Sequence, residues 1–206
     1  MPDTTARRVL LIDMGGVSFA YSFAQALAHW AASAGTSAEQ LEAAWRIDAP
    51  FDAFERGEIT PAAYLQHLRS LLGVDLSDTQ LTDGWNAIYG EFNTDLTVLL
   101  RTPELRSRFA AVVGVSNTNQ LHAQVWPKVF GEHLKAFDDL VCSHTIGITK
   151  PEPGFFDHIA GQYHVRREDL VLVDDIPVVT ARATELGLTA HTYTSVAALS
   201  DFLNSL

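Results

Sequence analysis

The sequence predicts an α/β protein built on a parallel sheet, with an all-helical insertion after the first strand. Three observations carry that expectation. Short runs rich in Val, Leu, Ile or Thr recur at residues 8–14, 110–117, 138–144, 169–175 and 189–194. From the second run onward they alternate with helical stretches at about 119–131, 153–163, 177–187 and 195–204, the pattern of βα units. Between residues 18 and 95 no convincing strand is visible.

The first run, Val9-Leu10-Leu11-Ile12, has no polar alternation, as in a strand buried on both faces. It ends on Asp13, followed by Met14-Gly15-Gly16-Val17. A carboxylate at the C-terminal tip of such a strand sits where open α/β sheets place their ligands. In the insertion, Phe23, Leu27 and Trp30 share a helical face, as do Leu41, Ala44 and Trp45. Thr60-Pro61 supplies an N-cap and a first-turn proline for a helix carrying Tyr64, Leu68 and Leu71 and ending near Gly73. A further helix runs from about Ser77 to Tyr89, with Gly90 as its stop. The aromatic residues Trp30, Trp45, Phe51, Phe54, Tyr64, Trp85 and Tyr89 read mainly as the core of this unit, with one or two facing a cleft.

Later strand ends carry further polar groups. Ser116-Asn117-Thr118-Asn119 follows the run Ala111 to Val115, Lys150-Pro151 lies in a loop after the third strand, and Asp174-Asp175 ends the run Leu170 to Val173. Each has an ordinary explanation alone: a turn, a helix cap, a solvated lysine, loop acids. The hydroxyl and amide groups opening a helix also suit a phosphate, and one or two carboxylates plus substrate phosphate are the usual seat of Mg²⁺. Together the four offer a nucleophile, an anion cradle, a charge neutraliser and a metal site, the parts phosphoryl transfer needs.

Bulk composition narrows the rest. The 206 residues are 47% hydrophobic and 19% charged, which favours a folded globular chain over disorder. The longest apolar runs, such as Phe109 to Val115, are too short to span a bilayer, and the polar stretch Met1 to Arg8 is no signal peptide. Cys142 is the only cysteine, so an internal disulfide and a Cys-rich zinc site are excluded; it reads as a buried strand residue. A cytoplasmic protein is expected. The net charge is −11, and the only lysines are Lys128, Lys135 and Lys150, which argues against nucleic acid as a partner. An anionic substrate must be drawn by a metal ion or helix N-termini.

In order along essentially the whole chain, Asp13-Met-Gly-Gly-Val17, Ser116-Asn117, Lys150-Pro151 and Asp174-Asp175 resemble the motifs of the haloacid dehalogenase (HAD) superfamily. The segments Phe54-Glu-Arg-Gly-Glu-Ile-Thr60 and Ser116-Asn-Thr-Asn-Gln-Leu-His122 resemble its branch of bacterial sugar-phosphate phosphatases and the phosphatase domain of soluble epoxide hydrolases. The resemblance implies a three-layer Rossmann-like core from residues 1–17 and 96–206, and a helical cap, 18–95, that closes over Asp13. It implies Mg²⁺-dependent hydrolysis of a small phosphomonoester, with sugar phosphates among the candidates. Asp13 would attack phosphorus and form an aspartyl-phosphate that water hydrolyses. Mg²⁺ would be held by Asp13, the Gly15 carbonyl and Asp175, with Asp174 as an additional group. Ser116, the Asn117 backbone N–H and Lys150 would hold the phosphoryl oxygens. A monomer and a homodimer are equally compatible.

The chain departs from that pattern twice. Gly15 stands where most phosphatases of the superfamily carry a second Asp, whose acid–base help is typically worth about 10²–10⁴-fold, or about 3–5 kcal/mol of barrier. His122 and His144 are candidate stand-ins. Val179 stands where relatives commonly have Asn, removing a hydrogen bond behind the metal ligands. Two alternatives follow from the resemblance. One is a dehalogenase using the same Asp nucleophile, with Arg46, Arg56 or Arg69 as a clamp. The other is a HAD-fold protein that binds a ligand without turnover. Phosphonate cleavage needs a cap lysine, and residues 18–95 have none. Glu152 and Asp138-Asp139 read as solvated loop positions.

Overall fold

A computed structural model of the chain describes residues 8–206, so the polar stretch read as carrying no signal peptide lies outside them apart from Arg8. In chain order, β1 (Arg8–Asp13) and β2 (Phe19–Tyr21) precede five helices: α1 (Phe23–Ala34), α2 (Ala38–Ala44), α3 (Ala49–Glu55), α4 (Pro61–Leu72) and α5 (Asp78–Asn86). There follow β3 (Tyr89–Phe92), α6 (Thr94–Leu100), α7 (Pro103–Arg108), β4 (Phe109–Ser116), α8 (Gln120–Ala123), α9 (Trp126–Leu134) and β5 (Asp139–Cys142). Last come α10 (Ser143–Ile146), α11 (Pro153–Tyr163), β6 (Leu170–Asp174), α12 (Pro177–Glu185), β7 (Thr189–Thr192) and α13 (Val196–Ser205).

β1 is the middle strand of a parallel sheet of order β5-β4-β1-β6-β7. Its side chains alternate between two helical layers. Val9 and Leu11 join Phe155, Phe156 and Ile159 of α11, while Leu10 and Ile12 join Leu96, Trp126 and Leu199. Both faces are apolar, which is why the strand shows no alternation in sequence. All five expected strands lie in this sheet, and the three-layer core is as expected. No helix among the described residues is long and apolar enough to cross a membrane. Cys142, at the end of β5, is buried, and burial pushes its thiol up to about 12.

The insertion has its own core around Trp30, Phe54, Tyr64, Leu68, Leu81 and Trp85. α4 starts and stops where expected: Thr60 Oγ1 accepts the Ala63 N–H at 3.2 Å, and the chain leaves through Gly73 at φ 65. Elsewhere the structure differs from the sequence reading. The insertion is not free of strands, since β2 and β3 form an antiparallel ribbon with Phe19 opposite Phe92 and Tyr21 opposite Tyr89. Strands of three and four residues are too short to display a period. α5 therefore ends at Asn86, and Gly90 lies inside β3 rather than stopping a helix. The helix expected over 119–131 is two, α8 and α9, separated at Gln124–Val125. α3, α6 and α7, six or seven residues each, escaped periodicity for the same reason as the ribbon.

Candidate active site

The C-terminal rim of the sheet gathers Asp13 from β1, Asp174 and Asp175 from the end of β6, and Lys150 from the loop before α11. The three acids offer carboxylate oxygens within 4.8 Å of one another. Lys150 Nζ donates to Asp13 Oδ1 at 2.6 Å and to Asp174 Oδ2 at 2.7 Å, and all three of these side chains are buried. Burial pushes Asp13 up to about 7, with Lys150 opposing and Asp174 adding to the rise. Asp175 is raised as well, by burial and then by Asp174. Burial works against the Lys150 ammonium, but the two carboxylates outweigh it and hold the lysine charged.

Three carboxylates against one ammonium leave an excess of negative charge. Asp174 is fully engaged, because its second oxygen accepts the Ile176 N–H at 3.0 Å. Asp175 is not: its Oδ1 is buried and meets no protein donor. An orphaned carboxylate oxygen in an anionic cluster of hard ligands is what a divalent cation such as Mg²⁺ satisfies, so the residues present fit that ion. Gly16 makes the approach possible. It adopts φ 82, and a Cβ there would overlap the Asp175 carboxylate.

Ser116 closes β4 and is buried. Asn117 turns its side chain to the Lys150 backbone, donating from Nδ2 to the carbonyl at 2.8 Å and accepting the N–H on Oδ1 at 2.7 Å. This clamp leaves the Asn117 main chain as its part available to an anion. Lys150 does not stand at the tip of the third sheet strand. It lies beyond β5 and α10, and the Asn117 clamp brings it back to the rim.

Above these groups opens a cleft of about 360 Å³. The insertion contributes mostly rings to its wall, among them Tyr21, Phe23, Trp45, Phe51 and Trp85, and one carboxylate, Glu55. Ser143, fully buried in α10, ties wall to floor: its Oγ lies 2.6 Å from the Glu55 carbonyl and 2.9 Å from the Thr118 carbonyl, and accepts the Thr118 N–H at 2.9 Å. Arg56 adds a second tie, to Glu152 at 2.5 Å and Thr149 at 3.0 Å.

Asp13, Gly15, Ser116, Asn117, Lys150, Asp174 and Asp175 all line this cleft. Other expectations need correction. His122 is no stand-in for the missing acid: its Nε2 meets the Trp85 carbonyl at 3.0 Å, and burial drives its pKa down to about 3. His144 lies outside the cleft lining, and burial lowers its pKa too. Glu152 is not simply solvated, since it holds Arg56 and Thr149; nor is Asp138, which accepts the Val112 N–H at 2.7 Å. Val179 packs among the apolar residues of one helical layer and also lines the cleft. The sequence reading assigned no role to Tyr21, Glu55 or Ser143. The alternation Phe19-Ala20-Tyr21 was the available signal for the first; nothing local announced the other two.

A central-strand carboxylate faces an acid pair and a buried lysine beneath a helical insertion, and the comparisons with solved structures find the same fold in HAD family enzymes. The chain superposes on the HAD family enzyme bt-2542 from Bacteroides thetaiotaomicron, crystallised with magnesium and inorganic phosphate, with 25% identity and a TM-score of 0.78 over 94% of this chain and 99% of that one. A predicted HAD-like family hydrolase from Porphyromonas gingivalis matches in fold at 19% identity and TM-score 0.79, over 96% and 98%. A dehalogenase matches in fold at 17% identity and TM-score 0.62, over 90% and 84%. No family model matches the sequence. The chain has the fold of the HAD family hydrolases over nearly its whole length.

Proposed function

We propose that the protein is a Mg²⁺-dependent phosphatase that cleaves a small phosphomonoester through an aspartyl-phosphate on Asp13. The observation that carries this reading is the Asp13–Lys150–Asp174 bridge beside the orphaned Asp175 oxygen. Asp13, Asp175 and the Gly15 carbonyl would hold the ion, with Asp174 behind them, and the ion would supply positive charge to the phosphoryl oxygens. Lys150 occupies Asp13 Oδ1 and leaves Oδ2 to attack phosphorus. Its ammonium also lowers the repulsion between the carboxylates and an incoming phosphate. Ser116 Oγ and the Asn117 N–H would take the remaining phosphoryl oxygens. The magnesium and phosphate bound by the Bacteroides enzyme support the same assignment.

The cleft wall favours an aromatic or otherwise apolar leaving group over a sugar, whose hydroxyls would find few partners among Phe23, Trp45, Phe51 and Trp85. Dehalogenation is disfavoured by the arginines it would need. Arg56 is spent on Glu152, Arg69 on Asp78 and the Leu76 carbonyl, and Arg46 turns to the Ala44 carbonyl. None lines the cleft.

Hydrolysis of p-nitrophenyl phosphate with and without Mg²⁺ tests the proposal. Turnover is expected with the ion, falling by at least about 10³-fold in Asp13→Asn. Phosphate binding without turnover would instead make the protein a ligand-binding member of the fold.

A further inference from the structure

The geometry points to Glu55, at the end of α3 in the insertion, as the general acid and base of the reaction, in the role left open at Gly15. The inference rests on the phosphatase reading above. The place of the usual acid holds no side chain and is tight: a Cβ on Gly15 would stand 3.1 Å from Tyr21 Cε1 and 3.3 Å from Cδ1, so the Tyr21 ring would have to shift to admit one. A proton donor must therefore come from another part of the wall.

Few groups remain. Lys150 binds both Asp13 and Asp174, and Asp175 would hold the ion. The His122 ring is committed to the Trp85 carbonyl, and the Tyr89 hydroxyl accepts from Trp126 Nε1 at 2.9 Å. Burial, with the surrounding carboxylates adding to it, raises the Tyr21 phenol above its ordinary range, so it stays protonated and cannot alternate between acid and base. Glu55 lines the cleft, and no hydrogen bond or ion pair among the described residues engages its side chain.

Its backbone, in contrast, is fixed to the core. The Ser143 hydroxyl joins the Glu55 carbonyl to the loop that follows Ser116, and Arg56 holds the loop that precedes Lys150. Directly after Arg56, Gly57 adopts φ 68 and lies so close to the His144 carbonyl that a Cβ would overlap it. The carboxyl is thus carried by the cap but registered against the phosphoryl site. Burial, with Asp52 adding and Lys150 opposing, pushes its pKa up to about 7, where both protonation states are available near neutral pH. The charged and titratable groups acting on it are Asp52 on its own helix, Lys150, and Tyr21 on β2.

In the first step Asp13 bonds to phosphorus, the ester P–O bond breaks, and the departing oxygen takes the Glu55 proton, giving a neutral alcohol. In the second, the Glu55 carboxylate accepts a proton from the water that attacks the aspartyl-phosphate. The water oxygen bonds to phosphorus as the Asp13 O–P bond breaks, inorganic phosphate leaves, Asp13 is again a carboxylate and Glu55 again carries its proton.

The test compares wild type, Glu55→Gln and Glu55→Asp, loaded with Mg²⁺, on p-nitrophenyl phosphate and on 2-phenylethyl phosphate, whose alkoxide needs a proton to leave. Glu55→Gln should slow the first turnover of the alkyl ester by about 10²–10⁴-fold. On p-nitrophenyl phosphate it should keep a burst of one nitrophenolate per enzyme and then stall, because the base for water is gone. Glu55→Asp should recover part of the alkyl-ester rate. Equal slowing of both first turnovers, equal loss in the Asp and Gln variants, or unchanged kinetics would each overturn the assignment. A wild type inactive on both esters would bring down the phosphatase reading itself, a result distinct from any difference between variants.

Discussion

Across the cleft, the sheet rim presents buried charge and the insertion presents buried rings. On the rim, Lys150 stands between two carboxylates at 2.6 and 2.7 Å, and displacement of any one group leaves another unpaired. Behind the wall, in the core of the insertion, Phe54 stacks on Tyr64 at 4.4 Å and Trp30 on Trp85 at 6.0 Å, contacts that depend on volume and not on charge. The rim is therefore intolerant of chemical change, while the wall can exchange shape for shape. On the proposed reading the rim holds the nucleophile and the ion while the insertion shapes the leaving-group side and carries Glu55, so rim and packed rings should fail in different ways.

Lys150→Met should give the largest effect. Removing one partner of a buried ion pair typically costs about 3–5 kcal/mol, and that loss is expected in urea unfolding of the metal-free protein at pH 8. Near pH 5 the deserted carboxylates take up protons, so the penalty should shrink. Activity should fall by about 10²–10³-fold or more, as when one charge-stabilising donor is lost. An equal stability loss at both pH values would show that Lys150 matters for its packing alone.

Gly84→Ala probes the wall. This glycine lies in α5, and a Cβ there would overlap the Trp30 indole, whose Nε1 donates to the Leu81 carbonyl at 3.0 Å. Overpacking of this kind costs about 1–3 kcal/mol. KM for an aromatic phosphomonoester should rise while Mg²⁺ affinity stays at the wild-type level. If the two moved together, rim and wall would not be separable units.

The same contrast governs what could be read from the sequence. The rim was legible because strand tips are local: an apolar run followed by Asp13, Ser116 or Asp174 places its last side chain without knowledge of the rest of the fold. The clamp from Asn117 to the Lys150 backbone spans 33 residues, and no local pattern announces it. The wall was legible only as a helical mass. Its ribbon is too short to show a period, and the aromatic residues that face the cleft carry the same composition as those that face inward. Glu55 lies in the segment Phe54-Glu-Arg-Gly-Glu-Ile-Thr60, yet nothing there announces a role, because its position depends on Ser143, 88 residues away.

The smallest expected effect lies in the linkage between Mg²⁺ and pH. Asp13 is raised to about 7, above the ordinary carboxylate range it would have in the unfolded chain. The folded, metal-free protein then binds more protons than the unfolded one between those values. The Asp13 contribution to stability is full below the unfolded pKa and is lost as pH rises through about 7. Asp175, raised in the same direction, acts with the same sign, and so does Glu55. Mg²⁺ competes with protons for Asp13 and Asp175, so its stabilisation should be greater at pH 8 than at pH 5.5. A tenfold gain in affinity is about 1.4 kcal/mol, read as a larger Mg²⁺-induced rise in Tm at the higher pH. Glu55→Gln removes the third group from the titration and should leave that difference in place, because Glu55 is not a ligand. A rise in Tm equal at both pH values would mean that the ion does not displace protons from the rim, and that the wall and not the carboxylate cluster governs how the protein responds to metal.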